Sequence, residues 1–461
     1  MNSQSKKMEL LGSTSIPKAL LAMGIPTMIG MLVNAFYNLV DAYFVGGLGE
    51  SQMGAISVVY PLGQVVVGLG LLFGNGAASY ISRLLGRGDK ENADKVASTA
   101  LYSSVSVGAV IIIISMVFLH PILKLLGATD SILPYAATYA GIYIVSCIFN
   151  VFNVTMNNIV TSEGSAKTTM CALLMGAVLN IALDPLFIYV FDLGVAGAAI
   201  ATAISQVVST CVYLTYILRK KSVFHFKIKD CTYTKEIMSE IFKIGIPTLV
   251  FQILTSVSIS LINNAAGDYG DSAIAGMGVV TRFISMGSLS VFGFIKGFQP
   301  IAGYSYGAKK FDRLREAIKT SIVWSTVFCV IFGLVLALFP AAIVSQFTKG
   351  DAEMIRIGAA SLRANGISIM LFGFYTVYSS LFLALGKGRE GFILGACRQG
   401  ICFIPVILLL PMLWGLNGIL YAQPIADVLS AVITVFMAIP LHKKLNDMQK
   451  QTATIRTNTN N

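Results

Sequence analysis

Long apolar runs, broken by short basic or Gly/Pro-rich stretches, recur from one end of this chain to the other. A membrane-crossing helix needs about 20 mostly apolar residues. Twelve runs meet that requirement, at approximately 17–45, 53–82, 95–118, 132–158, 167–190, 195–218, 240–266, 274–303, 316–340, 354–384, 391–412 and 416–440. Several exceed the length of a straight crossing, which predicts tilted or kinked helices. The first run carries Asn34, Asn38 and Asp41 and lacks a short apolar core followed by a small-residue cleavage site. It reads as a retained helix rather than a leader.

Composition agrees with this pattern. Of 461 residues, 55% are hydrophobic and 12% charged, with a mean hydropathy of +0.76. Soluble chains average about 45–50% and about 25%. So much apolar surface does not fit in one aqueous core, which argues against a soluble enzyme, a nucleic-acid reader or a secreted scaffold. The net charge of +11 is then a property of one membrane face. With the N-terminus placed in the cytoplasm and the spans alternating, 27 of the 33 Lys and Arg residues fall on the inner side, Arg398 among them. Only Lys124, Lys349 and Arg356 fall outside, and Arg282, Lys296 and Arg363 fall within spans. This asymmetry predicts cytoplasmic termini and an inner or plasma membrane location, not an outer-membrane barrel. Seven scattered cysteines without a CxxC read as small buried hydrophobes. The polar stretch 448–461 reads as a disordered tail.

The chain repeats itself. Gly24-Ile25-Pro26-Thr27 returns as Gly245-Ile246-Pro247-Thr248, an offset of 221. The same ungapped offset pairs Gly76 with Gly297, Gly86 with Gly307, and Gly194-Val195-Ala196-Gly197 with Gly415-Leu416-Asn417-Gly418. Six spans separate the copies, so both halves have the same orientation and are related by an axis along the membrane normal. The expected architecture is an all-α polytopic membrane protein of two six-helix lobes, 1–218 and 240–447, joined by a basic cytoplasmic loop at 219–239. Such lobes around a midline cleft are a transporter arrangement. No GxxxxGK[ST] occurs, so an ion gradient is the expected power source. One charge crossing 100 mV supplies about 2.3 kcal/mol.

Charge inside a bilayer is expensive, so intramembrane ionisable groups mark function. Three acids lie well inside spans: Asp41, Asp184 and Asp427. Asp41 shares a helix face with Asn34 and Asn38, and Asp184 follows Asn180 by one turn. Both aspartates fall in the last quarter of outward-running spans, at the depth of Thr202 and Tyr139 on their neighbours. Two buried carboxylates close together do not both stay ionised cheaply. The pair is expected to hold a proton, or Na⁺ with Asn180 and Thr202 oxygens completing its shell. Pro26 and Pro185 interrupt the same two helices and are candidate hinges. Asn150, Asn153 and Asn157 line one face of the fourth span, which suits a cavity wall and suits interhelical hydrogen bonding as well. Together with Asn34 and Asn38 they are the candidate substrate-cavity residues. Asp427 lies at the depth of Arg282 and Arg363, and a structural ion pair with one of them is the preferred reading. Lys296 is expected to snorkel to the cytoplasmic interface.

These residues carry a resemblance to the multidrug and toxic compound extrusion (MATE) family along nearly the whole chain. The stretches are GIPTMIGMLVNAFYNLVDAYFVG (24–46), ISRLLGRGDKENAD (81–94), EGSAK (163–167), LNIALDPLFIY (179–189) and GVAGAAIATAISQ (194–206). The Asp in the first span with Asn-x-x-x-Asp-Pro in the fifth is similar to the DinF-like branch. The resemblance implies a V-shaped pair of bundles in which a cationic, amphipathic drug leaves as H⁺ or Na⁺ enters. It implies that Asp41, Asn180, Asp184 and Thr202 form the cation network beside Tyr139, with Asn153 and Asn157 near a first-lobe drug cavity. Antibiotic resistance, a monomer and no cofactor go with it. The family's other large branch has acids in the seventh and tenth spans, and this chain has Gln252 in the seventh and no acid after Glu353 in the tenth.

The runner-up is export of a lipid-linked or cell-envelope intermediate, which favours a cavity rich in Arg and Lys. Only three intramembrane bases are read from the sequence, all in the second lobe, which ranks it lower. A membrane-embedded enzyme needs a cluster of His, Asp or Glu near one interface, and none is legible.

Overall fold

The computed structural model describes residues 3–347 and 351–459, except for the side chains at 3, 42, 50, 53, 271 and 452–459. Lys349, expected in an outer loop, lies outside the described residues. All regular structure among the described residues is helical. Twelve helices are long and apolar enough to cross a membrane: Ile16–Gly46, Gly54–Arg87, Lys90–Val117, Leu133–Ser162, Ala166–Val190, Gly194–Leu218, Lys235–Gly267, Ser272–Gly307, Phe311–Leu338, Ala352–Ala384, Gly388–Trp414 and Leu416–Gln451. They coincide one for one with the apolar runs and extend mainly at the ends nearest the chain termini. The seventh helix starts at Lys235, capped by the Thr234 hydroxyl, so the connecting loop is shorter than the predicted 219–239. The last helix continues to Thr459, through the polar stretch from Met448 that the sequence reads as a tail.

Spans one to six pack on one another, and so do spans seven to twelve. The two sets meet where the first span crosses the eighth and the second crosses the seventh. The repeated glycines make this seam. A Cβ on Gly297 would lie 2.4 Å from Gly24 N, and one on Gly76 would lie 2.3 Å from Ile241 O. Gly307 and Gly86 press equally closely on the backbones of Arg83 and Tyr304. Backbones this near leave no room for a side chain, which is why glycine occupies both copies of each position. Polar ties reinforce the seam, with Arg83 Nη2 2.6 Å from Glu240, Asn75 Nδ2 2.9 Å from Thr248 Oγ1, and Gln252 Nε2 2.6 Å from Gln64 Oε1. At the opposite end, Gly46, Gly49, Gly267, Gly270 and Gly278 have no atom within 4 Å of a Cβ position. The seam contacts therefore close the lobes at the face carrying the termini, and these glycines at the other end meet no part of the opposite lobe.

An additional short helix, Ser3–Gly12, lies across the closed face. The Lys7 amine meets buried Glu163 at 3.1 Å and the Lys221 carbonyl at 2.5 Å, both in the first lobe. At the other end of the helix, Lys310 donates to Gly12 O at 2.7 Å, and Arg313 donates to the carbonyls of Leu11 and Thr14, tying it to the second lobe.

Candidate functional site

The first and fifth spans run parallel in contact. Gly30 packs on Leu173, and further along the Tyr189 hydroxyl donates to Phe44 O at 2.5 Å. This register puts Asp41 beside Asp184, and their carboxyl groups lie close enough to interact directly. Asp184 is 0% exposed and Asn180 1% exposed, whereas Asp41 is half-buried. Asn180 Nδ2 lies 3.4 Å from Asp184 Oδ1 and 3.4 Å from Thr202 Oγ1 on the sixth span. Tyr139 lies within electrostatic range of Asp41 and stacks on Tyr143, their ring centroids 5.6 Å apart. All five expected cation-site residues are thus in one place.

Three acceptor oxygens in this cluster are buried without a hydrogen-bond partner: Asp41 Oδ1, Asn180 Oδ1 and Asp184 Oδ2. No lysine, arginine or histidine pairs with either carboxylate among the described residues. Orphaned acceptors with no nearby base are a site for a proton or a hard cation. Pro185 follows Asp184 directly, and the backbone opens there from an α-helix into a π turn at Leu186–Val190. Such a turn loosens the hydrogen-bond ladder next to the carboxylate. Pro26, the other candidate hinge, lies on the seam, one residue from Thr27, whose hydroxyl bonds Met23 O at 2.8 Å.

The candidate cavity asparagines are placed differently from the expectation. Asn34 and Asn38 bond each other at 3.0 Å and do not join the carboxylates. Asn153 is engaged by Gln206 and Thr210 of the sixth span at 2.8 and 2.9 Å. Asn157 donates to the Tyr213 hydroxyl at 3.2 Å and accepts from Lys296 across the seam. Interhelical bonding accounts for both, while Asn150 Oδ1 is buried with no partner. A cavity of about 590 Å³ lies on the second-lobe side of the cleft, and none of these five lines it. Its walls include Phe251, Phe292, Gln299, Tyr375, Arg398 and Lys296.

In the second lobe Asp427 pairs with neither Arg282 nor Arg363, which are exposed on their spans. Its partner is Arg398, at 3.0 Å, with Ser368 Oγ at 2.9 Å and Gln423 Nε2 at 3.0 Å completing the shell. Arg398 is thereby moved from the inner side, where the sequence assigned it, into the eleventh span. The guanidinium also lies 4.6 Å over the Phe372 ring. Lys296 lines the cavity instead of reaching the interface. Sequence reasoning missed Tyr37, which lies within electrostatic range of both Asp41 and Asp184. Its position one turn before Asp41 was the available signal.

The MatE family model matches residues 26–186 and 247–409, one stretch in each lobe. The chain belongs to the MATE family of transporters. The multidrug export protein MepA of Staphylococcus aureus (strain MSSA476) is 32% identical over 429 residues, covering 93% of this chain and 94% of that protein. MepA of Staphylococcus saprophyticus is also 32% identical, covering 94% and 95%. Among solved structures, the outward-facing conformation of a multidrug resistance MATE family transporter of the MOP superfamily superposes with a TM-score of 0.90 at 27% identity, covering 96% of this chain and 99% of that one. This MATE transporter is therefore a multi-pass carrier of small molecules and not an enzyme. The family supports multidrug efflux as its activity.

Proposed function

We propose that this transporter exports amphipathic drugs in exchange for inbound H⁺ or Na⁺, with Asp41 and Asp184 as the coupling centre. The carrying observation is a carboxylate pair that interacts directly, has no basic partner, and leaves one oxygen of each carboxylate and Asn180 Oδ1 without a hydrogen-bond partner. The two carboxylates share one proton and keep a single negative charge, which one further ion, or the positive group of a cationic drug, neutralises. Both together over-neutralise it, so the ion and the drug displace one another. Half-buried Asp41 is the accessible entry to the pair, and buried Asp184 passes the change in charge to Pro185 and the π turn. Bending there, with Pro26 on the seam, is how occupancy alters the packing of the lobes and alternates access. The excess of Lys and Arg at the closed face puts that face in the cytoplasm and the open mouth outside. The lobe bounds 1–218 and 240–447 belong to this reading.

The test is ethidium accumulation in cells expressing the wild type, Asp41→Asn or Asp184→Asn. Each substitution is expected to reduce efflux at least about tenfold, the loss of about 1.4 kcal/mol of coupling. Unchanged efflux in both removes the mechanism. Proteoliposomes under separately imposed pH and Na⁺ gradients identify the ion.

A further inference from the structure

The cavity on the second-lobe side has a polarity opposite to that of the carboxylate pair. Its walls carry no aspartate or glutamate and two bases, Lys296 and Arg398, of which Arg398 is compensated by Asp427 behind the wall and Lys296 is not. Lys296 hydrogen-bonds Asn157 Oδ1, and no carboxylate interacts with it. Gln299 follows one turn later on the same face of the eighth span, and its Nε2 is buried without a partner. Ser288 Oγ, also in the wall, is buried and unpartnered too, while the Tyr375 hydroxyl lies beside Asp427. An amide N–H₂ is a donor only, and the serine hydroxyl donates as well as accepts. Buried donors without partners are costly, and a ligand that supplies acceptors removes the cost. The rest of the wall is apolar, with Phe251, Phe292, Leu289 and Ile284, and the volume is in the usual range for small-molecule sites.

We propose that this cavity binds an amphiphile through an anionic group, a carboxylate, sulfonate or phosphate, received by the Lys296 amine and the Gln299 amide, with its apolar body among the phenylalanines. The inference deepens the transport reading and rests on it. The protein then holds two sites of opposite sign: the carboxylates of the first lobe for cations and this cavity for anions. A zwitterionic drug suits the molecule as well as a cationic one.

The test uses the full-length protein in phosphatidylcholine nanodiscs, with dansyl-labelled undecanoic acid and its methyl ester as probes and empty nanodiscs subtracted. The two probes share an apolar body, and only the acid is anionic. The acid is expected to bind wild type about tenfold or more tightly than the ester, as for a charge-assisted hydrogen bond. Lys296→Met should bring the two within about twofold, and Lys296→Arg should keep the preference. Equal binding to wild type, or an undiminished preference in Lys296→Met, overturns the proposal. Asn157→Leu removes the seam bond and leaves the amine. Retained preference there supports a binding role for Lys296, and its complete loss overturns that role in favour of a merely structural one. A second set of nanodiscs containing phosphatidylglycerol identifies the source of the anion. Displacement of the acid from wild type but not from Lys296→Met assigns the site to a lipid head group, and no displacement assigns it to a free amphiphile; either supports the site. Asp41→Asn should abolish drug exchange and leave the acid preference intact. Absence of that preference in wild type, with efflux still lost in Asp41→Asn, overturns the anion site and leaves the coupling mechanism standing.

Discussion

Each lobe carries buried aspartate, and the two lobes treat it in opposite ways. In the second, Asp427 has Arg398 at 3.0 Å and two further donors, and its charge is compensated. In the first, Asp41 and Asp184 have each other and no base. The repeat offset explains how one scaffold holds both. At 221 residues, Asp41 falls on Ile262, Asp184 on Pro405 and Asp427 on Gln206. The glycines that bring backbones together coincide in the two copies, and the ionisable groups do not. Duplicated architecture thus fixes the packing, and each lobe has its own electrostatics. Under the proposed exchange, only the lobe whose carboxylates are uncompensated has a use for an incoming cation.

The comparison breaks most readily at stability. Removing one partner of a buried ion pair strands the other charge, at about 3–5 kcal/mol. Asp427→Leu should therefore lower the melting temperature of detergent-purified protein strongly, and the double change Asp427→Leu with Arg398→Met should recover most of the loss. Asp184→Asn strands no base and relieves a repulsion, so its melting temperature should stay level or rise. An equal drop for Asp184→Asn and Asp427→Leu ends the contrast between the lobes.

A smaller effect tests the part of the repeat that is symmetric. Gly76→Ala and Gly297→Ala each force a Cβ onto backbone at 2.3–2.4 Å across the seam. Overpacking of this kind costs about 1–3 kcal/mol. The two repeat mates should lose similar thermal stability, while Gly278→Ala at the open end, with nothing within 4 Å, should be close to neutral. One mate harmless and the other harmful shows that the lobes are not equivalent at their junction.

The sequence made much of this architecture legible. Apolar period and basic loops gave twelve spans, and the repeated glycines gave the two like-oriented lobes but not the seam that they form. Depth was legible too: Asp41, Asp184, Asn180, Thr202 and Tyr139 were expected at one level and are found there. Helix rotation was not. Arg282 and Arg363 have the depth to meet Asp427, but they are turned outward. Arg398 has the right rotation, and it was counted with the inner-side bases although the run 391–412 contains it. Lys296, Asn153 and Asn157 fail the same way, since a polar face states that something faces it without stating what. The helix Ser3–Gly12 is too short to form on propensity alone and is held by Glu163, Lys310 and Arg313, contacts that sequence spacing does not reveal.

The smallest expected effect separates the two coupling ions within the first lobe. A proton needs only the carboxylate pair, whereas Na⁺ needs a shell of several oxygens. The Thr202 hydroxyl is one of the oxygens available for that shell, and its contact with Asn180, at 3.4 Å, is long for a hydrogen bond. Thr202→Val preserves shape and removes the oxygen, so folding should lose only about 0.5–1.5 kcal/mol. Transport in proteoliposomes should then divide by driving force. Na⁺-driven exchange should fall severalfold and pH-driven exchange should stay near wild type. An equal fall under both gradients makes the hydroxyl a structural support for Asn180. No fall under either removes Thr202 from the site and leaves the coupling to Asp41, Asp184 and Asn180.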